Sequence, residues 1–209
     1  MAGTITALKF QRRNKERVNI YLDGEYAFGV DAIQAAQLHK GQVLSEKEIS
    51  ALKVQDERNR AFDRAVNFLS YRPRSRAEVE RYLRGKAIAD DTVADVIVRL
   101  EQAKYLDDED FARFWLENRE RFRPRGQRAL RYELRQKGVS DEIIARVLGD
   151  VDDEAYAWRA VEGRLLRWAN LPASEFRQKV TGFLHRRGFD YGTISLTLDK
   201  ASQILDIED

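Results

Sequence analysis

The strongest chemical signal in the chain is a run of guanidinium groups. Arg119-Glu120-Arg121-Phe122-Arg123-Pro124-Arg125-Gly126-Gln127-Arg128 is its most basic segment. Arg131 and Arg135 continue Arg128 at i+3 and i+7, which places the three on one helical stripe. Leu130 and Leu134 lie on the adjacent, inward face. Between Arg113 and Lys137 nine Lys/Arg stand against three Asp/Glu, a net of +6, whereas Gly138–Ala155 has one Arg against six acids, a net of −5. Guanidinium forks at this density clamp phosphates or carboxylates. Arg121, Arg123, Arg125, Arg128, Arg131 and Arg135 are therefore expected to face a polyanion or an acidic partner, with Arg72, Arg74 and Arg76 extending that surface. The alternative is a solvated stripe offset by Glu120 and Glu133.

Other chemistries find less support. There is no Cys, and the two histidines, His39 and His185, are far apart without metal-ligand spacing, so neither a zinc site nor a nucleophile–His arrangement can be built. His39 reads as a helix-end residue and His185 as a surface member of a basic helix. No glycine-rich phosphate loop with its Lys is present. The acidic run Asp107-Asp108-Glu109-Asp110 could hold a divalent cation, but it recurs as Asp152-Asp153-Glu154 at a second helix start, which favours a helix cap. The reading is of a binding protein without cofactor, not an enzyme. The 209 residues carry a formal charge of only +2, no apolar run of membrane-spanning length and no apolar N-terminal signal region, which points to a cytoplasmic protein.

The elements that must position the arginines repeat. Leu134, then Lys137-Gly138-Val139-Ser140-Asp141-Glu142 with Ile143, Ile144, Val147 and Leu148, reads as helix, glycine stop, capped helix. The pattern returns upstream at Leu83 with Lys86-Ala87-Ile88-Ala89-Asp90-Asp91, Val93, Val96 and Ile97. It returns downstream at Val180, Leu184 and Gly188-Phe189-Asp190, with Ile194 and Leu198. The pairs Phe62/Val66, Phe111/Trp115 and Tyr156/Ala160 mark a further helix before each copy. A period near 50 residues implies stacked three-helix units, since one unit alone buries little core.

Ahead of them, Thr4–Phe10, Arg17–Leu22 and Glu25–Val30 alternate as strands, with Asp23-Gly24 as a hairpin turn and Asn14-Lys15-Glu16 as the other turn. A short helix from Asp31 to His39, stopped by Gly41, and a short strand at Gln42–Leu44 complete a β-rich head. Ser45-Glu46-Lys47-Glu48 and Ser75-Arg76-Ala77-Glu78 are capping boxes. The first opens a helix toward Ser70 whose polar stretch Gln55–Arg60 leaves its continuity open. The expected fold is mainly α: three tandem three-helix repeats in an elongated curved array after a small head with a β-hairpin. The boundaries expected are 1–44 for the head, 45–55 for a helical linker, and 56–105, 106–150 and 151–209 for the repeats. The tail from Asp206 is expected to fray.

The triple repeat, the junction Tyr105-Leu106-Asp107-Asp108 with Phe111-Ala112, the segment Arg74-Ser75-Arg76-Ala77-Glu78 with Leu83, and the head segment Asn14–Glu25 together resemble the RecX family, regulators of the bacterial RecA recombinase. The one departure is Ala87, where a glycine is expected after Lys86. The resemblance implies a protein, expected here to be a monomer, that binds the RecA filament on single-stranded DNA, in its groove or at its growing end. It also implies inhibition of ATP hydrolysis and strand exchange, in DNA repair, recombination and SOS control. It supplies no compact site to carry over residue by residue. The competing class is a stand-alone helical DNA-binding protein that acts without RecA, and a third is an interaction scaffold for another protein.

Overall fold

The computed structural model describes residues 2–206. Alternation builds the head. In β1 (Gly3–Phe10), β2 (Arg17–Leu22) and β3 (Glu25–Asp31), the residues Ile5, Val18, Ile20, Phe28 and Val30 all turn to one side and are buried. Asp23 and Gly24 take φ of 49° and 95°, the doubly positive turn whose twist matches the flanking strands. Asp31 caps α1 (Ala32–Ala35), accepting from the Gln34 amide at 2.7 Å. The helix is shorter than the sequence predicts. Beyond Ala35 the amides of Gln37 and Leu38 bond back three residues rather than four, and Gly41, at φ 90°, turns the chain. The segment must leave the helix there because the Gly41 amide donates to the Ile5 carbonyl and β4 (Val43–Leu44) pairs with Gly3 and Thr4. The antiparallel sheet has the order β3-β2-β1-β4.

Ser45 opens α2 (Glu46–Ser70) with both bonds of its capping box. The helix runs unbroken through Gln55–Arg60. Its polar residues there have partners: buried Asp56 pairs with Arg17 of β2 at 2.8 Å, and the Asn59 amide donates to Asp31. The next two helices, α3 (Arg76–Arg84) and α4 (Asp90–Gln102), complete the first helical group. Phe68 of α2 stacks on Tyr82 of α3 at 4.1 Å, while Ala61, Ala65, Leu83, Val93, Val96, Ile97 and Leu100 are buried. Two compact units emerge. One comprises the chain up to Arg72 with Glu80–Tyr105, and the other Pro73–Val79 with the chain from Leu106 onward.

The second unit contains α5 (Asp108–Phe122), α6 (Gln127–Gln136), α7 (Asp141–Gly149), α8 (Asp153–Glu162), the single turn α9 (Leu165–Trp168), α10 (Ala173–Arg186) and α11 (Tyr191–Ile204). Leu130, Leu134, Ile144, Leu148, Phe176, Val180, Leu184 and Ile194 share its core with Phe111 and Val161. Three turns use the same bonds. Val139 donates to Leu134 O at 3.1 Å, Phe189 to Leu184 O at 3.3 Å and Ile88 to Leu83 O at 3.4 Å. Gly138 (φ 80°), Gly188 (φ 86°) and Ala87 (φ 57°) hold the left-handed position in each. Ser140 and Asp190 then cap the following helices, and Asp107 and Asp152 cap α5 and α8. Of the expected tail, all but Asp206 lies outside the described residues.

Candidate anion-binding surface

The arginines are set in place by a junction that the chain builds twice inside the second unit. At the start of α3 the Ser75 hydroxyl donates to Lys137 O and the Arg76 amide donates to Asp108 Oδ1 at 2.7 Å. At the start of α6 the Gly126 amide donates to Arg187 O at 3.0 Å and the Gln127 amide to Asp153 Oδ1 at 3.0 Å. Each helix start thus rests on the glycine turn and the acidic helix start that lie about one repeat further along. The acids at Asp107–Asp110 and Asp152–Glu154 are taken up by these roles. In each run one carboxylate caps and the next receives an amide from the neighbouring helix start, and Glu109 pairs with Arg113 at 3.0 Å and also with Arg146.

Because Gly126 rests on Arg187, α6 lies beside the end of α10. An open cleft of about 440 Å³ runs between them, lined by Arg125, Arg128, Arg131, Arg135, Arg186 and His185, with Tyr132 65% exposed at its rim. Arg128 and Arg131 are exposed and have no ion-pair partner among the described residues. The two glutamates that could have offset the stripe are committed elsewhere. Glu133 accepts from Trp115 Nε1 at 2.8 Å and Arg119 Nε at 2.7 Å, and lies 3.1 Å from Arg125 Nε. Glu120 accepts from the Tyr156 hydroxyl and pairs with Arg159. Arg125 and Arg135 are partly neutralised, Arg125 by Glu133 and Arg135 by Asp141 at 2.6 Å. That bond raises the Arg135 pKa, and the same bond with help from Arg131 lowers that of Asp141.

A second recess adjoins Pro124, where Arg121, Arg159, Arg164 and Arg187 outnumber Glu120 and Glu162. Arg187 donates to Pro124 O at 2.9 Å and lies 4.5 Å from the Phe183 ring, whose other cation is Arg164 at 4.8 Å. Burial lowers the Arg187 pKa, and the charges of Arg164, Arg123 and Arg125 lower it further. A guanidinium keeps its proton regardless. The shift therefore records mainly burial, and in smaller part the neighbouring cations whose repulsion an incoming anion would relieve.

Of the expected residues, the fold brings Arg125, Arg128, Arg131 and Arg135 into one cleft and Arg121 into the other recess. Arg123 is exposed between them, close enough to act on Arg187. Arg74 and Arg76 line neither, and Arg72 belongs to the other unit. Sequence reasoning missed Arg164, Arg186 and Arg187. Their sign is visible in the sequence, but not that the glycine turn at 188 carries Arg186 and Arg187 to the start of α6, nor that Arg164 meets Arg187 across the Phe183 ring.

The same architecture is found in known proteins. Residues 3–45 match the family description "Regulatory protein RecX N-terminal domain", 61–100 "RecX, first three-helix domain" and 107–148 "RecX, second three-helix domain". The "Regulatory protein RecX" of Bacillus subtilis is 37% identical over 201 residues, covering 94% of this chain and 76% of that protein. The chain belongs to the RecX family. A Listeria monocytogenes member is 32% identical over 98% of this chain and 78% of its own length. A crystal structure of regulatory protein RecX superposes with a TM-score of 0.78 at 28% identity, over 94% of this chain and 99% of that one. RecX from Lactobacillus salivarius gives 0.63 at 25% identity, over 74% and 99%. The family resemblance expected from the Tyr105–Asp108 junction, the repeats and the head is thus established, as is the mainly helical fold with its small N-terminal sheet. Ala87, the departure from the expected glycine, adopts the glycine-like conformation all the same.

Proposed function

We propose that this protein regulates a RecA-type recombinase in the bacterial cytoplasm, by docking the basic surface of α6 and α10 on the RecA filament and the single-stranded DNA it carries. Binding slows ATP hydrolysis and strand exchange, and the protein itself carries out no chemistry and needs no cofactor. The observation that carries the reading is the local excess of cations: Arg128 and Arg131 beside Arg186, without ion-pair partners among the described residues, and Arg187 among Arg123, Arg164 and the Glu133-paired Arg125. Membership of a family of regulatory proteins supports the regulatory class. Arg72, Arg74 and Arg76 add further contacts to the same partner.

The test is RecA ATPase on single-stranded DNA with this protein added well below one copy per RecA. Inhibition at that ratio is expected of groove blocking or end capping. Arg128→Glu/Arg131→Glu should abolish it while leaving the fold intact. Wild-type inhibition by the double variant would refute the surface. The stand-alone DNA-binding reading gains its support from the same arginines. It predicts duplex binding without RecA that falls about 10³-fold or more between 50 and 200 mM salt if six or more phosphates are neutralised.

A further inference from the structure

We propose that the outer face of the head's sheet is a separate binding surface for a short run of single-stranded nucleic acid, formed by Tyr21, Tyr26 and Lys9 with Arg12 and Arg13. The strand register places these groups. Leu8, Ile20 and Phe28 form one cross-strand row, and Phe10, Val18 and Val30 another, on the core side. The alternate rows, Ala7–Tyr21–Tyr26 and Lys9–Asn19–Gly29, stand on the opposite side. Among the described residues that side has no buried apolar cluster. Ala7 is small, the polar side chains of Gln11, Arg17 and Asn19 lie over Gly29, and Tyr26 stands out from this floor beside a half-buried Tyr21.

Tyr21 and Tyr26 meet edge to face at 6.0 Å, and Tyr26 is 59% exposed. Lys9 Nζ lies 5.0 Å from the Tyr21 ring centre. An exposed aromatic pair can be explained as cross-strand packing that stabilises the hairpin. The charge beside it cannot. Arg12, Arg13 and Lys15 are all exposed in the turn before β2, and neither they nor Lys9 have an ion-pair partner among the described residues. Glu16 is the one acid of that turn; Asp23 and Glu25 lie in the hairpin turn at the tyrosine end, where Asp23 is taken up by the Thr4 amide and Glu25 is exposed, so the cations lead toward the rings from the opposite end. From the turn to Tyr21 is roughly 14 Å along β2 at about 3.4 Å per residue, with Lys9 midway. Cations that track a backbone toward rings that accept bases are the two parts of a single-strand site. Duplex DNA, whose bases are already stacked, offers the rings nothing.

The proposal does not depend on the recombinase reading, and the two fail separately. The experiment measures binding of a short fluorescein-labelled oligo(dT), and of a duplex of equal length, to the full chain without RecA. Tyr26→Ala should weaken oligo(dT) binding about fivefold or more and leave duplex binding unchanged, while Tyr26→Phe restores wild-type affinity. Arg12→Glu/Arg13→Glu should reduce the salt slope for oligo(dT) by about 1.4. Cross-linking of 5-iododeoxyuridine-substituted oligo(dT) should mark the peptide that holds Tyr21 and Tyr26. Folded head variants that bind oligo(dT) with wild-type affinity and slope, an equal loss on duplex, or no binding by the unaltered protein would each overturn the proposal. Head variants that lose oligo(dT) yet still inhibit RecA ATPase would uphold it and leave the recombinase reading standing.

Discussion

Gly138 lies so close to Ala77 that a β-carbon at position 138 would fall 2.4 Å from the alanine methyl, and Gly188 meets Ala129 at the same 2.4 Å. Both glycines also hold positive φ. The spacing comes from the repeated junction, in which a glycine turn receives the start of the preceding unit's second helix. Gly138→Ala and Gly188→Ala each combine a strained backbone with a steric clash, and each should cost about 2 kcal/mol or more. Gly188→Ala should be worse, because the added carbon also meets the Ala129 amide nitrogen at 2.7 Å. Urea titrations of the two variants check the sign and the order. Wild-type midpoints would mean that the two helix pairs slide apart freely.

Ala87 supplies the opposite experiment. It holds φ 57° at the position where the other two turns have glycine. Left-handed backbone costs an L-residue about 1 kcal/mol or more, only part of which the greater chain entropy of glycine cancels. Ala87→Gly should therefore stabilise the first unit by about 0.5–1 kcal/mol, read as a higher denaturation midpoint.

The parts of this fold that are legible in the sequence are those written in local chemistry. The Asp23-Gly24 turn, the Ser45 and Ser75 boxes and the Gly138-Ser140 stop–start each depend on near neighbours in the chain. The helix after Asp31 stops short of its sequence pattern because its end is decided by a distant strand partner, where Gly41 bonds to Ile5. The continuity of α2 through Gln55–Arg60 is unreadable for the same reason, since Asp56 and Asn59 take their partners from the head. At the candidate surface, local composition shows the sign of the charge. It does not show that Glu133 turns inward to Trp115 and Arg119, which is what leaves Arg128 and Arg131 uncompensated.

Glu133 makes a prediction of its own. Its carboxylate is mostly buried and serves Trp115, Arg119 and Arg125 together, while Arg119 and Lys137 lie 4.3 and 4.9 Å from the Trp115 ring centre. Glu133→Ala strands two donors and leaves Arg125 without its ion-pair partner, and should cost about 2–4 kcal/mol; Glu133→Gln keeps one neutral acceptor and should cost less. Trp115 emission should shift with the loss of its hydrogen bond. An unchanged midpoint for Glu133→Ala would show that the cluster contributes nothing to stability.

Asp153 ties stability to pH. Its carboxylate receives the Gln127 amide at 3.0 Å where α6 starts. Burial raises its pKa to about 6, with Asp190 and Asp152 adding to the rise and the Gln127 bond opposing it. The sign follows from the raised value. Between about 4 and 6 the folded chain holds this proton while the unfolded chain has released it, so the group's contribution to stability grows as pH falls through that window. Above 6 the cost of the buried charge is complete and constant. Asp153→Asn keeps an oxygen to accept the Gln127 amide and removes the titration. The variant should be more stable than wild type at pH 7, with the advantage shrinking toward pH 4. Urea unfolding at both ends of that range measures it. Parallel pH profiles for the two proteins would mean that Asp153 titrates as an ordinary exposed carboxylate, and that the junction between α6 and α8 does not sense the proton.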